Sequence, residues 1–182
     1  MRCKICRTEF TRRSMTHKTC STDCALAYVA VQNSKKLKKK QMADRKETKL
    51  KLEKLKTRSQ YLEDTQKACN GLVRTRDLKA GHGCISCGSM TSYPRWQAGH
   101  LFSVGAHPNR RFNLDNIHLQ CVHCNMHLGG SALKFYAALV VRIGRERVEK
   151  LESDNAPAKW TIPELIEMKK KFQQMKKELE NE

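Results

Sequence analysis

The chain has 182 residues, of which 39% are hydrophobic and 6% aromatic; this excludes one large apolar core and favours small domains held by staples. Thirty-six Lys and Arg against 18 Asp and Glu leave a formal charge of +18, which seeks a polyanion and makes nucleic acid the expected partner. No apolar run reaches the roughly 20 residues of a spanning helix, and the start from Met1 to Cys6 has no apolar stretch of the secretory kind, so neither a membrane nor export is expected.

Eight of the nine cysteines fall into four close pairs. In a chain without an export signal such pairs are expected to bind metal rather than to form disulfides. Cys3 and Cys6 followed by Cys20 and Cys24 suit a tetrahedral structural Zn²⁺ site in a first unit, residues 1–28. Residues 29–58 form a basic linker. From Lys35 to Arg58 there are 12 Lys and Arg and three acids, a net of +9, with no Gly or Pro, which predicts an exposed helix. Lys38, Lys39, Lys40 and Arg45 are its candidate DNA-phosphate contacts.

A third segment, residues 59–155, opens on a helix with an apolar stripe of Leu62, Thr65, Cys69, Leu72 and Val73. Cys69, the unpaired cysteine, reads there as a small buried hydrophobe. Cys84 and Cys87, with Cys121 and Cys124, make a second four-thiolate zinc site. The insert between these pairs predicts two strands, Trp96–Phe102 and Asn116–Cys121, and a helix is expected to open near Asn125 despite Gly129 and Gly130. Leu133 to Ile143 reads as a core helix. Residues 156–182 form a C-terminal helix, with Thr161 and Glu164 at capping-box spacing and Trp160 as a packing anchor.

A histidine on one strand, an asparagine on the next, and an Asn after Cys-x-x-Cys resemble the zinc-stapled HNH (ββα-metal) pattern. The chemistry needs these types. Neutral His100 would take a proton from water. Asn125 would offer its amide oxygen to one hard catalytic cation, Mg²⁺ or Mn²⁺, that stabilises charge on the phosphate and leaving oxygen. Asn116 would hold the loop beside the base. Arg110 and Arg111, between the strands, are candidates for gripping the scissile phosphate. The expected fold is therefore α+β: a zinc-stapled HNH nuclease core with flanking helices, a small N-terminal four-cysteine zinc unit and a long basic helix.

The run from Asn70 to Asp77, the Cys84–Gly88 knuckle, Ala98-Gly99-His100, Arg111-Phe112-Asn113 and the stretch from Asn116 to Asn125 resemble the NinG (Rap) family of lambdoid phages. The resemblance covers nearly the whole chain. It implies a recombination endonuclease cutting Holliday junctions, D-loops and similar branched DNA in the bacterial host cytoplasm, with two structural Zn²⁺ and with recombination proteins as candidate partners. Two symmetric nicks in a junction would suit a homodimer. The chain also resembles, more distantly, HNH resolvases with the motif Asp-His … Cys-x-x-Cys-Asn. It departs from them at Gly99, where they carry a metal-binding Asp. The cation would then rest on Asn125 with waters and phosphate oxygens, or take a second ligand from His118, His127 or Asp115. The competing expectation is a non-catalytic zinc-finger nucleic-acid-binding regulator or recombination scaffold.

Overall fold

The Ser21 hydroxyl accepts the Cys24 N–H and caps a helix, α1, that runs without a break from Thr22 to Lys54. The structure is a computed structural model that describes residues 1–181. The chain divides into a first unit, Met1–Lys56, and a second beginning at Thr57.

In the first unit, α1 starts inside the second cysteine pair, earlier than the linker expected from composition. It buries none of its residues, so Lys38, Lys39, Lys40 and Arg45 are all exposed. Good helix formers and local pairs such as Glu47 with Lys51 (2.7 Å) sustain it rather than tertiary packing.

The second unit opens on α2 (Arg58–Lys79), whose Thr57–Gln60 capping box satisfies its first amides. Its stripe of Thr65, Cys69, Leu72 and Val73 is buried, as the spacing predicts. Two strands follow, β1 (Gln97–His100) and β2 (Ile117–Gln120), paired antiparallel with His100 opposite Ile117 and Gln97 opposite Gln120. Among the described residues they form the only sheet. The helix expected at Asn125 does not form there. Residues His123–His127 make a five-residue π turn, Gly129, Gly130 and Ser131 take positive φ, and α3 (Ala132–Ile143) begins only afterwards. Consecutive left-handed residues cannot continue a right-handed helix. The expected ββα unit is thus two strands, a wide turn and a delayed helix.

The C-terminal helix, α5 (Ile162–Asn181), is not a separate piece. Leu165 and Phe172 enter the same core as Cys69, Leu72, Val73, Ala98, Phe112 and Ile117. Its capping box forms as expected: Thr161 N–H donates to Glu164 Oε2 (2.7 Å) and Glu164 N–H to Thr161 Oγ1 (3.4 Å). Trp160 packs edge-on against Phe112. A second cluster joins Ile85, Phe135 and Leu139 of α3, and Val148 and Leu151 of α4 (Arg145–Ser153). Only one face of α3 is core: Leu133 and Val141 are both 88% exposed.

Asp77, on the last turn of α2, joins these parts. Its buried carboxylate accepts the Leu119 N–H of β2 (2.6 Å) and Arg76 Nε (2.7 Å), and lies 3.6 Å from His118 Nδ1 and 3.7 Å from Arg142 Nη1. Burial raises its pKa, but the His118 and Arg76 contacts and the Leu119 amide outweigh this and hold it well below the usual carboxylate range. A depressed carboxylate stabilises the fold above the unfolded value near 3.9, and that contribution is lost as pH falls below it. Asp77→Ala is expected to cost about 3–5 kcal/mol, because two guanidinium groups are left beside an empty place. Urea unfolding at pH 7 with zinc in excess measures this; a loss under about 1 kcal/mol would show that the carboxylate does not secure β2.

Candidate functional site

The two cysteine cages share one local design. Cys3 N–H donates to Thr8 O (2.9 Å) and Arg7 N–H to Cys3 O (3.1 Å); Cys84 N–H donates to Ser89 O (2.8 Å) and Gly88 N–H to Cys84 O (2.8 Å). The residue after the second cysteine is left-handed in both, Arg7 at φ +63° and Gly88 at φ +72°. Each cage brings four sulfurs within 4.8 Å of one another. The Cys20–Cys24 and Cys87–Cys121 separations of 3.7 and 3.9 Å match the edge of about 3.8 Å that four thiolates make around Zn²⁺, and Cys6–Cys20 is shorter at 3.3 Å. Burial pushes the Cys3 thiol up, but main-chain amides of Ile5, Cys6 and Cys20 bring it down to about 6, toward the thiolate a metal needs. Both clusters could therefore hold zinc.

The second cage anchors the hairpin. Ile85, inside the knuckle, donates its N–H to Leu119 O (2.9 Å), and Gln120 Nε2 donates to Ser86 Oγ (2.7 Å) and Gly130 O (2.7 Å). The loop from Leu101 to Asn116 is drawn in by Asn116, which is fully buried. Its Oδ1 accepts Phe102 N–H (2.8 Å), and its Nδ2 donates to Phe102 O and Arg110 O (3.0 Å each). One carboxamide thereby ties the exit of β1 to the turn at Pro108–Arg110 and to the entry of β2.

His100 ends β1 on the face that packs toward α2. Its Nε2 lies 3.5 Å from Gln66 Nε2, which also donates to Asn70 Oδ1 (2.8 Å). The tautomer of the ring sets which of the two nitrogens donates. Burial lowers the His100 pKa; a main-chain contact with Arg111 opposes this and the Arg111 charge adds to it, leaving the group below its ordinary 6.5. The ring is neutral at pH 7, and Gln66 Oε1 is buried nearby without a partner.

Asn125 lies in the π turn, half-buried, beyond the Gln120 end of β2. His100 pairs with Ile117, at the other end of a hairpin roughly 10 Å long. No hydrogen bond joins His100 to Asn125 among the described residues. His127 is exposed on the same turn, its ring centroid 6.0 Å from that of His123. His118 is 3% exposed and turned toward Asp77, Arg76 and Arg142, where neighbouring guanidinium groups disfavour a metal ion. Asp115 is held by Arg147. Arg110, expected on the surface, is 3% exposed: it donates to Glu152 O (2.7 Å) and Asp154 O (2.9 Å) and stacks on Phe102 at 4.2 Å. It fastens the loop to the end of α4 and has no free edge for a phosphate. Arg111 is half-buried.

Sequence reasoning missed Gln120 and Gln66. A Cβ added at Gly99 would stand 2.0 Å from Gln120 Oε1 and 3.1 Å from Gln120 Cβ. The place an acidic side chain would take at position 99 is therefore filled by the Gln120 carboxamide, whose buried Oε1 has no partner. Between Asp77 and Glu146 the only acid in the sequence is Asp115, and that scarcity was legible beforehand. Gly99→Asp is expected to destabilise by about 1–3 kcal/mol, and Gln120→Ala in the same chain to relieve most of that cost; additive losses in thermal melts would refute the clash. Metal analysis of the purified chain is expected to give two zinc ions per polypeptide, and a value near one would remove one cage.

A model of the family described as Bacteriophage Lambda NinG protein matches residues 1–182. Protein ninG of Escherichia phage lambda is 43% identical over 135 residues, covering 73% of this chain and 65% of that protein. Protein ninG of Salmonella phage P22 is 41% identical over 133 residues, 72% of this chain and 64% of that protein. The matched segments thus span just under two thirds of these relatives. No solved structure matches, and no described helix is long and apolar enough to cross a membrane. By the extent of the family match and the identity to these relatives, the chain belongs to the NinG family.

Proposed function

We propose that this chain is a metal-dependent, structure-selective DNA endonuclease of the HNH kind, acting in the phage's bacterial host on branched recombination intermediates such as Holliday junctions and D-loops. The observation that carries the reading is His100: a neutral, lone-pair-bearing imidazole at the end of β1, beside a loop that Asn116 pins at three main-chain groups. A phosphodiester laid along the outer edge of β1, which no further strand covers among the described residues, would meet His100 at the strand's end, and a hard cation would reach the same phosphate held by the phosphate's own oxygens as much as by the protein. His100 takes a proton from the attacking water, and the cation offsets charge on the phosphate oxygens and the 3′-oxygen.

Asn125 is the residue assigned to the Mg²⁺ or Mn²⁺ ion. With Asp115 engaged by Arg147, the protein offers the ion neutral oxygens, so affinity is weak in the free protein and comes largely from substrate phosphate. The two zinc ions are structural. The exposed cations of α1 add salt-sensitive, sequence-independent affinity. A symmetric pair of cuts in a four-way junction favours two copies acting together, and recombination proteins remain candidate partners.

The scarcity of carboxylates around the hairpin favours the second reading, a zinc-finger nucleic-acid-binding protein without catalysis. His100→Ala separates the two. The nuclease reading expects Mg²⁺-dependent cutting of a labelled four-way junction to fall by at least about 100-fold with binding retained. No Mg²⁺-dependent cutting by the wild type supports the second reading, and cutting that His100→Ala leaves intact would refute His100 as the base. Because the base acts while neutral and its pKa is lowered, the acid limb of kcat/KM should lie below pH 6.5, with a plateau above it.

A further inference from the structure

The second unit has a cleft of about 600 Å³ between α2, the chain entering β1, and α5. Lys67 and Arg74 reach it from α2, Arg95 from the approach to β1 and Lys176 from α5, and no acidic residue lines it. Lys67 and Lys176 have acidic neighbours on their own helices, Glu63 at 2.6 Å and Glu180 at 3.2 Å. Among the described residues Arg74 and Arg95 have none. Arg74 is held below the usual guanidinium range by its partial burial first and by the Arg95 charge second. Half-buried Arg74 feels the charge of exposed Arg95 with no counterion to offset it, a cost that an arriving anion relieves.

Gly71 gives a second, independent indication. Glycine inside a helix lowers stability relative to alanine, and no close packing demands it here: a Cβ would meet only Lys176 Cδ, at 3.9 Å. It lies on the lining of the cleft, one turn from both Lys67 and Arg74, where its missing side chain leaves the helix surface open to a ligand. Asn70 lines the cleft too and is bonded to Gln66, which faces the His100 ring. The cleft therefore begins one side chain away from the proposed base.

We propose that this cleft is a phosphate-backbone site that receives the strand leading to His100, with Arg74 and Arg95 as its paired contacts and Gly71 leaving the room for the backbone to lie against α2. The ligand class is a nucleic-acid phosphodiester, read by charge and not by base. This deepens the nuclease reading but rests on it only for the word "leading"; the contact itself is tested apart from cleavage.

The test measures binding of the full zinc-loaded chain to a labelled 20-bp duplex and to a four-way junction, with no added divalent ion, across a series of salt concentrations. Arg74→Ala with Arg95→Ala is expected to weaken binding at least about tenfold near 0.1 M salt and to reduce the slope of log K against log salt by about 2. Lys134→Ala with Arg145→Ala, removing equal charge from exposed positions elsewhere, is expected to change affinity less than about twofold. Gly71→Glu should also weaken binding while raising the melting temperature, since the helix loses its glycine. Equal losses in the two double variants would reduce the cleft to bulk charge, and full binding by Gly71→Glu would overturn the site. Should His100→Ala still cut, or the wild type not cut at all, the reading of His100 as the base falls while these binding results stand on their own.

Discussion

A two-stranded hairpin four residues long cannot keep its register in water on its own. Here the main chain of Leu119 is gripped twice. Asp77 of α2 accepts its N–H, and Ile85 of the second cysteine knuckle donates to its carbonyl. The outer side of β2 is thereby taken by a buried carboxylate and a metal-type loop, while the outer side of β1 has no further strand. Everything proposed for the hairpin depends on this asymmetry. One edge is locked so that the other can meet a ligand.

The polar groups around the hairpin are mostly neutral. Gln66, Asn70, Asn116 and Gln120 do the positioning, and each holds main chain or another amide rather than a charge. Carboxamides can be buried at the cost of a few hydrogen bonds, whereas a buried carboxylate needs cations around it, as Asp77 has. The acids near the hairpin, Asp77 and Asp115, are both matched by guanidinium groups, which leaves few free carboxylates there and suits a polyanion. It also means that a catalytic cation would have to share its ligands with the phosphate it activates.

The two units divide the basic charge differently. Along α1 the cations are exposed and spread over a helix of about 50 Å, the arrangement for mobile, screened attraction. In the cleft between α2 and α5, half-buried Arg74 and exposed Arg95 lie without counterions among the described residues. On the proposed reading the first arrangement would raise encounter rates and the second would orient what has arrived.

The sequence by itself determined the local features. Cysteine spacing predicted both cages, the three-and-four periodicity of residues 62–73 predicted the buried face of α2, and Thr161 with Glu164 predicted the α5 cap, because each is settled within a few residues by chain geometry. The tertiary structure decided what depends on residues far apart. Arg110, read as a candidate grip on the scissile phosphate, turned inward because carbonyls of Glu152 and Asp154 come within reach only once α4 has packed. His118 went to a buried network because Asp77, far earlier in the sequence, closes over β2. The helix expected at Asn125 gave way to a π turn, since Gly129, Gly130 and Ser131 hold a left-handed path between the knuckle and α3. Periodicity and spacing encode which face of an element is apolar and which groups can share a metal. They carry no information on which distant carbonyl or carboxylate a polar side chain will meet, because that partner exists only after the elements have packed.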